Sequence, residues 1–287
     1  LDIGTSGAKA LALAEDGVVL GETRVPYSAL DATVRENEQD PALWLRAIER
    51  ACAELGAVVD LEQVQSVSLS GQMHGFVAVD DFGAPVGPCR TWADTRCTLE
   101  VQELRAALGE RIVRSSGNGV LEAFTAPKLL WSRRHEPATR AARMCLPKDY
   151  LRLAMTGTRA TDVSDATGTL LFDLESQAWN RALVAATEWD IQQFPPVRAS
   201  TAEAGLSTEP GARICGIRPG TPVITGASDV ACAALGAGLL RPGTTFINIG
   251  TSAQLLAVSE PQHDPASRFT FGHCIPDTYL AMGSLFS

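Results

Sequence analysis

The sequence has no hydrophobic run long enough to cross a membrane. Its longest unbroken stretch of apolar residues and glycine is the segment Val230 to Leu240, whereas a membrane-spanning helix needs about 20 such residues. No basic and apolar leader is recognisable at the N-terminus. We therefore expect a cytoplasmic protein that is neither secreted nor bound to a membrane.

The sequence also lacks the cysteine patterns of disulfide-rich and zinc-binding proteins. Its 7 cysteines include no Cys-x-x-Cys pair, and its 4 histidines do not stand at zinc-ligand spacing from them. We expect reduced thiols that are mostly buried. No block of lysine or arginine is present and the net charge is −9, which disfavours nucleic acid as a partner.

What is present is the composition of an ordinary globular protein, with 45% hydrophobic and 20% charged residues. A chain of 287 residues is long for a single hydrophobic core, so we expect two lobes.

The tetrapeptide Ile-Gly-Thr-Ser occurs twice, at residues 3–6 and 249–252. Each copy follows a strand-like segment, and Asp2 precedes the first. Backbone N–H groups and hydroxyls in such turns form concavities that bind phosphate, although neither copy has the spacing of a Walker loop. The competing interpretation is a chance repeat in ordinary hairpin turns.

Hydrophobic periodicity divides the chain into alternating strands and helices. A polar loop at residues 70–75 follows a predicted strand, which is where α/β proteins usually bind ligands. A second lobe begins near Gly220. The predicted elements are a strand hairpin over residues 1–13 and 18–27, a helix from Pro41 to about Leu55, a strand over 64–69, mainly helices over 96–160, a strand over 223–225, a helix over 227–239 and a strand over 245–249.

Several motifs in one order resemble a known family. They include Asp2–Lys9, Ser70–Gly75, and Gly226–Asp229 followed by a glycine- and alanine-rich segment. Further blocks are Glu38–Pro41, Trp92–Arg96, Phe124–Trp131, Leu146–Leu151 and Thr161–Thr169. Together they resemble the FGGY family of carbohydrate kinases, with the xylulokinases as the closest pattern, over nearly the whole chain.

The resemblance implies an α/β fold of the actin-like, ribonuclease-H-like ATPase class, with two lobes around a cleft. Residues 1–219 would form the sugar-binding lobe, and residues 220–287 the start of a nucleotide-binding lobe that is incomplete in this chain. Each lobe would present one Gly-Thr-Ser turn to the phosphates of ATP. The implied activity is ATP- and Mg²⁺-dependent phosphorylation of a ketopentose, most closely D-xylulose to D-xylulose 5-phosphate. Whether the protein forms a homodimer is left open.

The resemblance also implies roles for individual residues. Asp229 would be the catalytic base and would contact the sugar, Asp2 would hold magnesium, and Met73 and His74 would bind the sugar. The groups implied to bind the nucleotide phosphates are Gly4, Thr5, Ser6, Gly250, Thr251 and Ser252. On local sequence alone, Asp229 is interpreted as a helix cap. For Asp2 the competing interpretation is a turn residue at the end of a strand, which the Gly-Thr-Ser sequence directly after it disfavours. A helix N-terminus would keep the pKa of Asp229 at or below about 3.9.

Other motif residues have structural interpretations beside functional ones. Asp94 and Arg96 are either a structural pair or part of the pocket floor, whereas Lys128 and Trp131 are expected to tie helices together.

The sequence departs from the xylulokinase pattern at two positions expected near the sugar. Val230 and Ala93 stand where xylulokinases commonly have asparagine. Milder departures occur at Ala123 and Ser132. A kinase for another pentulose, a polyol or a hexulose therefore stays an alternative, as does a sugar-binding protein without catalysis.

Overall fold

Nineteen strands and eight α-helices form among residues 1–249, 253–260 and 268–285, which are the residues that the computed structural model describes. The strands are β1 (Asp2–Ile3), β2 (Gly7–Leu13), β3 (Val19–Pro26), β4 (Glu38–Gln39), β5 (Ser70–Gly71), β6 (Val77–Val79), β7 (Cys89–Arg90), β8 (Arg143–Cys145), β9 (Thr161–Asp162), β10 (Phe172–Asp173), β11 (Ala178–Trp179), β12 (Val197–Arg198), β13 (Glu203–Leu206), β14 (Pro222–Ile224), β15 (Ala227–Ser228), β16 (Thr245–Ile249), β17 (Ala253–Ser259), β18 (Phe269–Gly272) and β19 (Tyr279–Leu285). The helices are α1 (Pro41–Leu55), α2 (Thr98–Ser116), α3 (Thr125–His135), α4 (Pro147–Thr156), α5 (Val163–Thr167), α6 (Arg181–Ala186), α7 (Glu209–Cys215) and α8 (Asp229–Gly236).

A mixed five-stranded sheet organises the first part of the chain, in the order β15-β5-β1-β2-β3. Strands β1, β2 and β3 pair antiparallel, whereas β5 lies parallel to β1 and β15 parallel to β5. The register places Asp2 opposite Ser70 and Ser70 opposite Ala227. Three chain segments that are far apart in sequence therefore end at one edge of the sheet.

The predicted hairpin and the predicted first helix are both confirmed. The chain reverses between β2 and β3 at Gly17, whose φ is +86°, and the Asp16 carboxylate accepts a hydrogen bond from the Val18 N–H at 3.0 Å. Helix α1 begins at Pro41, where the Asp40 side chain accepts from the Ala42 N–H at 2.9 Å. Its apolar face lies buried against the first sheet in the largest core cluster.

Two predicted boundaries are wrong. Residues 64–69 do not form a strand, apart from an isolated bridge between Val67 and Val223; regular pairing begins at Ser70. The helix predicted from residue 227 starts only at Asp229, because Ala227 and Ser228 pair with β5 as strand β15. Gly226 makes this turn with φ +77°, and a Cβ added there would lie 2.0 Å from the Leu69 carbonyl oxygen.

A second, antiparallel sheet has the order β16-β17-β19-β18. It is attached to the earlier part of the chain through β18. The buried Asn118 side chain donates to the Thr270 carbonyl at 2.7 Å and accepts from the Thr270 N–H at 2.8 Å. The Gly272 N–H donates to the Thr167 hydroxyl at 2.9 Å. The strand predicted over residues 245–249 is confirmed as β16.

The predicted domain boundary near residue 220 stays a prediction. Strand β15 lies in the first sheet, whereas α8 packs in an apolar cluster with residues of the second sheet. The predicted reduced thiols are confirmed, since all seven cysteines are free and five of them are buried. Among the helices of residues 1–249, none combines the length and the apolar character that a membrane crossing requires.

Candidate active site

The predicted site residues meet where β1, β5 and β15 end. Asp2 lies on β1, Met73 and His74 follow β5, and Asp229 follows β15. Neighbouring strands are about 4.8 Å apart, so the register puts the backbones of Asp2 and Ala227 about 10 Å from each other. The described part of the chain thus brings together the residues predicted to hold metal, sugar and the catalytic base.

The Asp2 carboxylate has an unused acceptor. Its Oδ1 atom is buried and has no hydrogen-bond partner among the described residues. The nearby Tyr27 hydroxyl donates instead to the Gly4 carbonyl at 3.1 Å, and burial together with the charge of Asp2 raises the pKa of Tyr27. A buried carboxylate oxygen without a donor is the kind of ligand that a hard cation prefers.

Asp229 is a stronger base than its place in the sequence predicted. Burial raises the pKa of Asp229 to about 7, and the negative charge of Asp2 contributes to the rise. The Val230 N–H, which donates to Asp229 Oδ1 at 2.8 Å, opposes the rise without cancelling it. The expectation of a pKa at or below the ordinary value is therefore wrong, because desolvation outweighs the helix N-terminus here.

His74 is held in an unusual backbone conformation by the end of helix α5. Its φ is +67°, in the left-handed region, and its Nδ1 atom lies 2.8 Å from the Gly168 carbonyl oxygen. Because a carbonyl only accepts, Nδ1 must carry the proton. Burial lowers the pKa of His74 to about 4, so the ring is neutral at pH 7 and its Nε2 atom keeps a lone pair for a ligand hydroxyl.

Aromatic side chains from both parts of the chain enclose the imidazole. The ring centroids of Phe124 and Phe271 lie 4.8 and 5.5 Å from that of His74. Phe271 belongs to β18 of the second sheet. Met73 is buried beside this cluster, and a Cβ added to Gly168 would lie 2.9 Å from both Met73 Cε and His74 Nδ1.

The first Gly-Thr-Ser turn is supported from beneath by side-chain amides. Gln39 Nε2 donates to the Thr5 carbonyl at 2.8 Å, and Gln39 Oε1 accepts from Trp44 Nε1 at 2.9 Å and from Gln72 Nε2 at 3.0 Å. Gln39 thus links the Thr5 carbonyl of the turn to Gln72, which precedes Met73 in the loop after β5.

Trp92 contacts the first Gly-Thr-Ser turn, which sequence reasoning did not predict. Its Nε1–H donates to the Thr5 hydroxyl at 2.9 Å, and the residue is 43% exposed. Thr5 can still donate its own hydroxyl proton to a phosphate oxygen. The Ser6 hydroxyl is exposed and accepts from Arg24 at 3.3 Å. The only sequence signal for Trp92 was its place in the Trp92–Arg96 block.

The second Gly-Thr-Ser turn cannot be placed. Gly250, Thr251 and Ser252 lie outside the described residues, so their predicted contacts with phosphate stay a prediction.

Asp94 and Arg96 form part of a charged network in which Asp94 is buried and Arg96 is partly exposed. Arg96 pairs with Asp94 at 2.8 Å and with Glu38 at 2.6 Å. Its guanidinium also lies 5.0 Å from the ring centroid of Trp131. These contacts support the structural interpretation of the pair and the expected structural role of Trp131.

Lys128 makes structural contacts, although with the loop before its own helix α3 rather than with another helix as predicted. Its buried ammonium donates to the carbonyl oxygens of Glu122, Ala123 and Phe124 at 2.8, 2.5 and 2.9 Å. Burial lowers the pKa of Lys128 to about 8. The ammonium thus fastens the start of α3 to the segment before it.

Comparison with known proteins agrees with this arrangement. A profile of the FGGY family of carbohydrate kinases, N-terminal domain, matches residues 1–236. The chain belongs to the FGGY family of carbohydrate kinases. The resemblance predicted from its motifs is therefore confirmed.

Individual relatives of this FGGY chain are similar along nearly its whole length. A xylulose kinase from Staphylococcus epidermidis is 35% identical over 99% of the chain and 58% of the relative. A xylulose kinase from Escherichia coli is 33% identical over 100% of the chain and 60% of the relative. The chain thus spans less than two thirds of the length of these relatives.

A solved structure supports the predicted fold. The crystal structure of xylulose kinase from Rhodospirillum rubrum superposes with a TM-score of 0.91 at 30% identity, over 99% of this chain and 59% of the other. This likeness confirms the actin-like ATPase architecture predicted for the FGGY chain.

The residues present fit the magnesium ion that the family implies. The unpartnered buried oxygen of Asp2 would supply one oxygen ligand. No group of three or more His, Cys, Asp or Glu side chains suited to a metal occurs among the described residues. Magnesium at phosphoryl-transfer sites is usually held by one or two carboxylates together with phosphate oxygens and water, so a single aspartate is sufficient here.

Proposed function

We propose that the protein transfers the γ-phosphoryl group of ATP to a ketopentose, with D-xylulose as the substrate and D-xylulose 5-phosphate as the product. The observation that carries this proposal is the meeting of Asp2, His74 and Asp229 at the ends of three adjacent strands. The xylulose kinases among the relatives support the choice of sugar.

In this proposal Asp229 accepts the proton of the sugar hydroxyl that attacks the phosphorus atom. A base with a pKa of about 7 is matched to neutral pH, because a sufficient fraction is ionised and its proton affinity is high. The rigid turn between β15 and α8 fixes its place relative to the acceptor oxygen.

Asp2 and the first Gly-Thr-Ser turn form the phosphate side of the site. Asp2 Oδ1 would hold magnesium, and the exposed Ser6 hydroxyl and the Thr5 hydroxyl would donate to phosphate oxygens. When bound, magnesium neutralises the charge on the transferred group. Gly250, Thr251 and Ser252 are proposed for the same role from the other lobe.

Met73 and His74 form the sugar side of the site. His74 Nε2 would accept a hydrogen bond from a sugar hydroxyl, since its Nδ1 proton is committed to Gly168. A site that pairs with a hydroxyl strongly rejects an analogue lacking it. His74 is thereby proposed to select the sugar, and Met73 to shape the surrounding wall.

A kinase for another pentulose, a polyol or a hexulose is the second candidate. Val230 packs against two apolar clusters and, like Ala93, has no polar side-chain atom to offer a hydroxyl. A substrate with fewer hydroxyls, or differently placed ones, on that side would meet no unpaired polar group.

The test is sugar-dependent ADP release by the complete protein with a panel of pentuloses, polyols and hexuloses. Asp229→Asn should lower kcat about 10²- to 10⁴-fold, because it removes the proton acceptor. Asp60→Asn is the control, since Asp60 caps a short exposed turn. D-xylulose should have the highest kcat/KM.

A higher kcat/KM with another sugar would contradict D-xylulose as the substrate and support the second candidate, a kinase for another pentulose, a polyol or a hexulose. Sugar binding by calorimetry without turnover on any sugar would instead support the non-catalytic alternative. Equal activity of Asp229→Asn and the wild type would refute the role of Asp229.

A further inference from the structure

Helix α5 contacts both the turn that carries Asp229 and the loop that carries His74. At its start, the Ser164 hydroxyl accepts a hydrogen bond from the backbone N–H of Ser228 at 2.9 Å. At its end, the Gly168 carbonyl binds the His74 ring. Ser164 and Ser228 are fully buried, and their bond joins segments that are 64 residues apart.

The direction of the hydrogen bonds at Ser164 follows from their chemistry. A backbone N–H can only donate, so the Ser164 oxygen accepts from Ser228. Its own proton is then free for the Asp162 carboxylate, whose Oδ2 atom lies 2.6 Å away. The short distance is typical of a charge-assisted O–H···O⁻ bond. The hydrogen bonds therefore run in one direction, from the Ser228 N–H to the Ser164 hydroxyl and from that hydroxyl to the Asp162 carboxylate.

Asp162 is itself immobilised by other buried groups. Its Oδ2 atom also accepts from the Ser200 hydroxyl at 2.8 Å, and its Oδ1 atom pairs with Lys148 at 2.9 Å. Lys148 pairs further with Asp149 and Asp165, each at 2.8 Å. These side chains have no exposed surface. Because a half-satisfied buried charge is costly, such a cluster tolerates few alternative arrangements.

Asp229, in contrast, is oriented through its backbone. The carboxylate of Asp229 accepts a hydrogen bond from the backbone N–H of the next residue, Val230. The preceding residue, Ser228, is the cap of α8, with its hydroxyl accepting from the Ala231 N–H at 3.3 Å. The position of the Asp229 carboxylate thus depends on the turn at Ser228, and the Ser164 hydroxyl holds that turn from the side.

We propose that Ser164 is a positioning residue for phosphoryl transfer, which fixes the Asp229 turn against the buried charges through Asp162. It touches no substrate and acts only through Ser228. The proposal rests on the proposed role of Asp229 as the base.

The test compares Ser164→Ala with Ser200→Ala in the complete protein. Both variants remove a buried hydroxyl that donates to the same Asp162 oxygen, but only Ser164 also binds Ser228. Ser164→Ala should lower kcat about 10- to 100-fold per folded molecule, since a displacement of about 1 Å can cost that much. The KM for ATP should change less than about twofold, and Ser200→Ala should keep a kcat close to that of the wild type.

Hydrogen exchange gives a readout that does not depend on activity. The amides of residues 228–231 should exchange faster in Ser164→Ala and at the wild-type rate in Ser200→Ala. If Ser164→Ala does not fold, Ser164→Cys replaces it, because a thiol has nearly the same shape but is a weaker hydrogen-bond partner. It should show the same loss of kcat.

Equal kcat in the two alanine variants, or unchanged exchange at residues 228–231, would overturn the positioning role. A wild-type protein without sugar-dependent ADP release would instead overturn the proposed function, and the exchange experiment would still report on the Ser164–Ser228 link. The two failures are therefore distinguishable.

Discussion

At the scale of single residues, the site is governed by desolvation of two titratable groups with opposite consequences. Burial makes Asp229 a better proton acceptor, with a pKa of about 7, and keeps His74 neutral, with a pKa of about 4. The same physical cause raises the pKa of an acid and lowers that of a base, because it disfavours the charged form of each. These shifts suit Asp229 to the proton transfer and His74 to the hydrogen bonding that we propose for them.

The raised pKa of Asp229 predicts an acid limb in the pH profile of kcat/KM for the sugar. Only the ionised carboxylate accepts a proton, so activity should be constant above about pH 8. It should fall about tenfold per pH unit below about pH 7. Steady-state kinetics between pH 5 and 9 would measure this limb, and His74 does not titrate in that range.

A second buried carboxyl, that of Asp165, has a pKa close to that of Asp229, so the pH profile requires a control. Burial and the charges of Asp162 and Asp149 raise the pKa of Asp165 to about 8, although Lys148 opposes the rise. Asp165→Asn should keep the acid limb near pH 7, because a protonated aspartate and an asparagine are both neutral. A limb that moves in Asp165→Asn, or that lies near pH 4 in the wild type, would contradict the assignment to Asp229.

At the scale of elements, a short helix with little intrinsic stability is hydrogen-bonded to several segments of the chain and connects them. Helix α5 has only five residues, which is less than an isolated helix needs in water. Its stability comes from the cap at Asp162 and from contacts with β15, β18 and the loop after β5. A substitution at either end of α5 should therefore displace residues of the site, although the substituted residue itself contacts no substrate.

Gly168→Ala tests the contact between the end of α5 and the sugar side of the site. Gly168 has an ordinary helical conformation with φ −71°, so alanine adds only a methyl group there. That group would lie 2.9 Å from Met73 and His74 and should displace both. We expect the sugar KM to rise about tenfold, with little change in the ATP KM.

Gly87→Ala is the matched control, because nothing lies within 4 Å of the added Cβ. Steady-state kinetics with sugar and ATP varied in turn would separate the two KM values. A normal sugar KM in Gly168→Ala would show that Met73 and His74 do not contact the sugar, or that the loop adapts without cost.

At the scale of the whole molecule, apolar packing and a few buried hydrogen bonds attach the second sheet to the earlier part of the chain. Phe271 of the second sheet packs in the same cluster as Phe124 and Met73. Val230 packs in both this cluster and the one beneath the second sheet. The sugar side of the site is consequently built from both parts of the chain.

Asn118→Ala should loosen the second sheet selectively. It removes both hydrogen bonds to the Thr270 backbone, which together contribute about 2 kcal/mol. Amides of β18 should then exchange at least about tenfold faster, while those of β1 and β2 keep their protection. Asn180→Ala, which removes a helix cap in the first part of the chain, should leave β18 unchanged.

Loss of protection throughout the chain in Asn118→Ala would contradict a local attachment. It would indicate instead that the two sheets unfold as one cooperative unit.

Local sequence by itself determined the hairpin at Gly17, helix α1 between Asp40 and Leu55, and the identity of the motif residues. These features depend on neighbours in the chain: a cap, a proline at the first helical position, a glycine in the left-handed region and an apolar repeat. The family motifs added the implied roles of Asp2 and Asp229 at one site, which no local pattern connects.

Only the tertiary structure decided the pKa of Asp229, the start of α8 and the contacts of Trp92, Ser164 and Gly168. Each depends on groups that are distant in sequence. Desolvation is set by everything packed around a side chain, and Ala227 and Ser228 form a strand because β5 offers a partner there. The local helix signal predicted a low pKa for Asp229, and burial, which has no signature within a few residues, reversed it.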